Sequence, residues 1–370
     1  MSEWQERKLE DLGLLQRGRS RHRPRYDFHL YGGKYPFIQT GEVREARKYI
    51  RKFEQTYSEA GLAQSKLWPK NTLCITIAAN IAELAILSFE ACFPDSVLGF
   101  IPNENTDLDF VYYTLTHFQR ELKHIGEGSV QDNINLGTFQ DVLFPIPELE
   151  EQKAIASVLS CLDDKIDLLH SQNTTLERMA ETLFRQWFVE EAQEDWETGV
   201  LGDVVTISYG KNLPTNQLLE MGYPVFGGNG QIGFFDKYLY EKPQVLVSCR
   251  GEASGKVNIS LPYSFVTNNS LALVSNKREE LTFEFLKYFA LNYDFTLHVS
   301  GSAQPQITID GLYGANFTIP PRQLIDKFTL IVDDLETKKL NNFYQIQTLE
   351  KLRDNLLPKL MSGEVRVSND

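Results

Sequence analysis

The sequence predicts an α+β fold made by tandem duplication. It comprises two mixed α/β globular domains, separated by two long antiparallel helices that form a coiled-coil spacer, with pseudo-two-fold symmetry. Three observations carry this reading. An internal repeat runs without a gap at an offset of 173 residues. Two stretches, 148–190 and 321–362, carry heptad apolar seams. The segments before them, 1–147 and 191–320, read as short strands punctuated by turns.

The repeat is visible by eye. GSVQDNINLGTFQDVLFPIP, residues 128–147, lies over GSAQPQITIDGLYGANFTIP, residues 301–320. Gly128, Ser129, Gln131, Ile134, Phe144, Ile146 and Pro147 meet identical residues. The same offset places Leu73 on Leu246, Phe110 on Phe283 and Leu183 on Leu356. Near the N-terminus the offset becomes 192: Trp4 meets Trp196, Leu9 meets Leu201, and Gly18-Arg19 meets Gly210-Lys211. The first copy therefore carries about 19 extra residues between Arg19 and Leu73. Residues 42–59 are the natural candidate and read as a polar helix.

Within the globular segments, Val245 to Ser248, Lys256 to Ser260 and Leu271 to Ser275 have strand composition, and Phe283 to Leu291 reads as a short amphipathic helix. Gly227-Gly228-Asn229-Gly230 is a hairpin signal. Residues 148–191 contain neither Pro nor Gly. There Ile155, Leu159, Leu162, Ile166, Leu169, Leu176, Ala180, Leu183 and Trp187 recur at threes and fours, with Asn173 as the polar member. A helix of about 42 residues would be about 63 Å long. The second stretch repeats the pattern with Phe328, Val332, Leu335, Phe343, Ile346, Leu349, Leu352, Leu356 and Leu360. Lys339 and Asn342 weaken its middle, with no partner evident from sequence. An apolar stripe that long must be covered, and the other helix of the chain is the simplest cover. Residues 363–370 form a tail.

Composition narrows the function classes. No apolar run approaches a membrane span, and the charged N-terminus is no signal peptide. Four scattered cysteines without a CxxC pair argue for a reducing, intracellular compartment. Catalytic motifs are missing: there is no HExxH, GxSxG or complete P-loop, and the six histidines lack metal-ligand spacing. Gly251 to Lys256 is one residue short of a phosphate loop. Phe226 to Gly230 imitates a methyl-donor loop but reads better as a hairpin. Asp163-Asp164 reads as a solvated helix face. No cofactor, metal site or catalytic residue is expected.

Binding chemistry remains. Residues 1–52 hold 13 Lys and Arg against 7 Asp and Glu, inside a chain of net charge −13. Arg17, Arg19, Arg21, Arg23 and Arg25 alternate through RGRSRHRPR, and Arg44, Arg47, Lys48, Arg51 and Lys52 follow on the expected extra helix. Such a patch suits phosphate contact. Lys211, Arg250 and Lys256 are the cationic points of the second copy. Ser129, Gln131, Asn133, Ser302, Gln304 and Gln306 sit in polar loops, where amides either read adenine edges or cap turns. Twin cationic modules suit a duplex ligand, which has two-fold symmetry of its own.

FPIPELEEQKAIASVLSCLDDKIDLL (144–169), LERMAETLFRQWFV (176–189), LEKLRDNLLPKLMSGEV (349–365) and TLCITIAANIAELAILSFEACFPDSVLGF (72–100) resemble the specificity subunit of Type I restriction–modification enzymes, over nearly the full chain. The resemblance implies target-recognition domains at 1–147 and 191–320, each reading one half of a bipartite asymmetric DNA site. It implies a ruler made of helices 148–190 and 321–362. Its implied partners are double-stranded DNA, two methyltransferase subunits on the helices and motor-nuclease subunits, in the cytoplasm, with no catalytic centre of its own. The family's Gly-[Lys/Arg] turn falls on Gly18-Arg19 and Gly210-Lys211. Its Gly-Ser-x-Gln element falls on 128–131 and 301–304. The pair Glu151-Gln152 meets Leu324-Ile325 in the second copy, which implies unequal docking of the two partners. The acidic total implies weak DNA binding by the chain alone. The rival readings are a two-domain scaffold on a coiled-coil strut that is not specific for DNA, and a self-sufficient methyltransferase.

Overall fold

The computed structural model describes residues 4–22, 24, 26–78, 82–127, 142–276, 281–301 and 304–367, and of 120–127 the backbone path. The chain divides into two compact units, Met1–Leu169 with Tyr344–Asp370, and His170–Phe343. The division cuts through both long helices, Leu149–Arg185 and Arg322–Met361.

In the first unit a five-stranded sheet runs Gly13–Arg17, Val97–Pro102, Leu73–Thr76, Leu84–Leu87, Tyr49–Ile50. Its central strands are buried on both faces, and successive residues serve different cores. Leu73 and Ile75 pack with Phe110 and Leu115 of the helix Leu108–Glu127, while Cys74 packs with Trp68 and Phe93 on the other side. A second sheet runs Gln55–Tyr57, Tyr31–Phe37, Ala91–Cys92, Leu67–Trp68. Gln5–Arg7 pairs with Phe144–Ile146 ahead of the first long helix.

The second unit repeats this plan. Its sheet runs Val205–Tyr209, Ser270–Ser275, Val245–Ser248, Val257–Ile259. The offsets hold strand by strand: Gly13–Arg17 and Val205–Tyr209 differ by 192, Val97–Pro102 and Ser270–Ser275 by 173. The helix is Phe283–Asn292, as its amphipathic pattern predicts. Tyr223–Gly227 and Gly230–Phe235 form the expected hairpin across Gly228-Asn229.

The extra segment of the first copy is not one polar helix. Thr40–Glu45 is helical, but Tyr49–Ile50 forms a strand that pairs parallel with Leu84–Leu87, and Gln55–Tyr57 joins the second sheet. Ile50 and Tyr57 are buried. Sheet pairing and apolar burial override the helix that surface-like charges suggest.

Within each unit the long helices pair antiparallel. In the first, Ile166 and Leu169 pack against Ile346 and Leu349, and Arg353 Nη1 lies 2.8 Å from Asp163 Oδ1. In the second, Phe184 and Phe328 meet at 5.7 Å between ring centroids, and Lys339 Nζ lies 3.4 Å from Glu177 Oε1. Asn342 is buried and donates to Asn173 Oδ1 at 2.8 Å. Lys339 and Asn342, which weaken the seam in sequence, thus each find a polar partner on the facing helix. A buried Asn pair of this kind fixes register at some expense of stability. Strict threes and fours run through Phe328, Val332, Leu335, Lys339, Asn342, Ile346, Leu349 and Arg353, so Phe343 and Leu352 fall outside the seam and are exposed. Asp163 is not a solvated face residue: it accepts from Tyr113 Oη at 2.6 Å as well as pairing with Arg353.

Gln152 is also internal. Its amide receives Asp107 N at 2.9 Å and donates to Pro147 O at 3.0 Å and Asn105 O at 3.3 Å, while its counterpart Ile325 is buried in apolar core. One copy fastens a loop with an amide where the other packs a side chain. The Gln152/Ile325 difference therefore lies beneath the surface, while Glu151 and its counterpart Leu324 are both half-buried.

Candidate nucleic-acid interface

In both units one end of the main sheet gathers the cationic turns. The strand Gly13–Arg17 leaves the sheet there and Val97–Pro102 enters it. Gly18 N donates to Val97 O at 2.8 Å and Arg19 N to Phe93 O at 3.0 Å. The second unit makes the same two bonds 192 and 173 residues on: Gly210 N to Ser270 O at 3.2 Å and Lys211 N to Val266 O at 2.9 Å. Each glycine is required by close approach. A Cβ on Gly18 would overlap the Pro94 carbonyl oxygen, and one on Gly210 would overlap that of Thr267. The turn thus presses backbone to backbone and projects the next, cationic residue.

Arg17, Arg19 and Arg21 are exposed. The Arg19 guanidinium is anchored through Nε to Ser65 O at 2.9 Å, and Gln64 Oε1 accepts Arg21 N at 2.6 Å and His22 N at 3.0 Å. These bonds hold the Arg19 side chain and the backbone of Arg21 and His22. Lys66 joins this patch. It follows Ser65, whose carbonyl holds Arg19 from 46 positions away, so sequence order does not set it beside the arginines. Its ammonium sits 3.7 Å from the Trp68 ring centroid and 2.8 Å from Gln16 Oε1. Burial first, and Arg19 second, lower its pKa.

Lys48 has a different place. It is 3% exposed, with its ammonium 3.0 Å from Asp109 Oδ1 and 2.8 Å from Ser160 Oγ, and it faces the rings of Tyr49, Tyr112 and Tyr113. Arg47 and Arg51 pair with Asp167 of the first long helix at 3.3 and 3.2 Å. These cations of the extra segment fasten the globular part to the helix. The second unit has its own fastening: Lys287 Nζ and Tyr288 Oη lie 2.8 and 2.7 Å from Glu336 Oε1. Glu336 and Asp163 are 173 residues apart, so both copies hold a tyrosine hydroxyl on the same helical carboxylate.

At the sheet end of the second unit, Lys211, Arg250, Lys256, Gln304 and Gln306 are exposed. Backbone bonds link their loops: Asn268 N to Lys211 O at 3.1 Å, Cys249 N to Asn269 O at 2.9 Å, and Gly251 N to Pro305 O at 2.9 Å. Gln306 and Ser300 exchange two backbone bonds of 2.9 Å. Gly301 has φ +85°, a conformation that favours glycine. Among the described residues the side-chain amides of Gln304 and Gln306 have no hydrogen-bond partner. Arg23, Arg25, Ser129, Gln131, Asn133 and Ser302 lie outside the described residues.

Among the described residues no cluster of His, Cys, Asp and Glu could hold a metal ion, and no helix is long and apolar enough to cross a membrane.

A family model for the Type I restriction modification DNA specificity domain matches the chain twice, over residues 1–178 and 193–356. The chain belongs to this family. The two matches begin at positions that differ by the 192-residue offset of the repeat. The Type I restriction enzyme MjaIX specificity subunit of Methanocaldococcus jannaschii is 27% identical, over 99% of this chain and 94% of its own length. The EcoprrI specificity subunit of Escherichia coli is 20% identical, over 82% and 81%. The crystal structure of a Type I restriction–modification S subunit from M. genitalium has the same fold, with TM-score 0.61, 22% identity and 96% of each chain covered.

Proposed function

We propose that this chain is the DNA-recognition subunit of a Type I restriction–modification system. Recognition domains 1–147 and 191–320 each read one half of a bipartite, asymmetric site. The helices of 148–190 and 321–362 set the separation and offer the surface on which two methyltransferase subunits dock. Motor-nuclease subunits join that assembly in the cytoplasm, and the chain itself performs no chemistry.

The observation that carries this reading is the duplicated sheet end. Two equivalent glycine turns project Arg19 and Lys211, while the residues around them differ between copies. Equal poses with unequal side chains are what reading two different half-sites requires. Arg17, Arg21, Arg250 and Lys256 would contact phosphates, and Gln304 and Gln306 would meet base edges.

The test is co-expression with a methyltransferase subunit, followed by methylation-aware sequencing of the host DNA. A complex and a split, asymmetric methylated motif are expected. Exchanging residues 191–320 for those of a relative should change one half of the motif only. A complex that methylates without a split motif, or no complex at all, would refute the reading in favour of a strut-like scaffold.

A further inference from the structure

Two large aromatic side chains stand in solvent beside the arginine-rich loop of the first copy. Tyr26 is 85% exposed and Phe28 is 77% exposed. The backbone that carries them is held. Asp27 accepts His22 Nε2 at 3.1 Å on one oxygen and His29 Nδ1 at 2.9 Å on the other. His22 in turn is bonded to Gln64, beside Arg21. Below the tip Leu30 is buried, and Ser58 Oγ donates to His29 O at 2.6 Å. The residue between the aromatics is thus tied to His22, beside Arg21, by a His–Asp–His clip.

The Tyr26–Phe28 pair has no counterpart by position in the second copy. The 192-residue offset sets Leu218 and Glu220 opposite Tyr26 and Phe28, and Tyr209 and Leu213 opposite Arg17 and Arg21. Exposed aromatics next to cations match a nucleic acid, whose phosphates take the charge while an opened base step takes the ring. We infer that Tyr26 and Phe28 form a wedge that enters the first half-site and unstacks one base step. This rests on the DNA-reading function proposed above.

The test uses the complex with its methyltransferase subunits, on duplexes carrying 2-aminopurine at successive non-methylated positions. One position in the first half-site should brighten on binding. Y26A/F28A should remove that signal and weaken binding by roughly tenfold. A mismatch at the bright step should tighten binding of the wild type but not of the double variant, because only the wild type opens that step. F28Y should retain the signal. Sequence-specific binding with no bright position would overturn the wedge alone. A wild type without sequence-specific binding would overturn both the wedge and the reading beneath it. Loss of methyltransferase from the variant in the absence of DNA would overturn the wedge and assign the aromatics to a protein contact.

Discussion

Lys287 offers a direct test of how the second globular part is fastened to its helix. Its side chain is 8% exposed, and its ammonium lies 2.8 Å from Glu336, which also accepts Tyr288. Burial pushes the Glu336 carboxyl up, but hydrogen bonds and charge from Lys287, with Tyr288 and Lys339, outweigh it and hold its pKa below 4.5. K287M keeps the side-chain volume and removes the charge. Breaking a buried pair from one side costs about 3–5 kcal/mol, and the lower end applies because Tyr288 and Lys339 still satisfy Glu336. For a unit of this size that is a fall in Tm of roughly 6–12 °C. Replacing both partners, K287M/E336M, should cost less than either single change, since no unpaired charge is left behind. The pH dependence follows from the depressed carboxyl: its contribution is present above 4.5 and is lost as pH falls through the lower folded value. The difference in Tm between wild type and K287M should therefore shrink below pH 4.5. Calorimetry over a pH series reads all three. Additive single losses, or a Tm difference that grows in acid, would refute the reasoning.

The seam gives a second cycle: N342L should destabilise by about 1–3 kcal/mol by stranding Asn173, whereas N173L/N342L should recover stability, measured by urea unfolding. G18A should cost about 1–3 kcal/mol through overlap with the Pro94 carbonyl, and methylation sequencing should show relaxed reading of the first half-site only. R17A and R21A should each reduce the slope of log affinity against log salt by about 1, with little change in Tm. K48M should do the reverse, leaving the salt slope unchanged and lowering Tm, because Lys48 is buried against Asp109 and Ser160.

The architecture is legible in the sequence because duplication writes each element twice. The offset of 173 aligns Val97–Pro102 with Ser270–Ser275, and that of 192 aligns Gly13–Arg17 with Val205–Tyr209, without any geometry. Segments without a second copy are not legible in this way. Residues 42–59 have no counterpart to compare, and their charges suggest a helix where Ile50 and Tyr57 are drawn into sheets. Charge alone also misdirects the reading of Lys48, whose partners Asp109 and Ser160 lie 61 and 112 positions away. Repetition finds the turn glycines, but the carbonyls that require them, of Pro94 and Thr267, emerge only from the fold.

The two copies keep what holds the backbone and change what faces outward. Gly18 and Gly210 make matching bonds, and Asp163 and Glu336 each accept a tyrosine hydroxyl, from Tyr113 and from Tyr288, which the offset does not align. Around these fixed points the first copy carries Arg17, Arg19 and Arg21 with exposed Tyr26 and Phe28, and the second carries Lys211, Arg250 and Lys256 with exposed Gln304 and Gln306. On the proposed DNA-reading function, the denser cationic loop of the first copy would draw more of its affinity from phosphate contact than the second copy does. Raising salt should then weaken the first half-site more than the second. Competition with duplexes mutated in one half at a time, over a salt series, reads this directly: the penalty for losing the first half should diminish as salt rises. Equal salt dependence for the two halves would show that the cationic loop does not act on its own half-site.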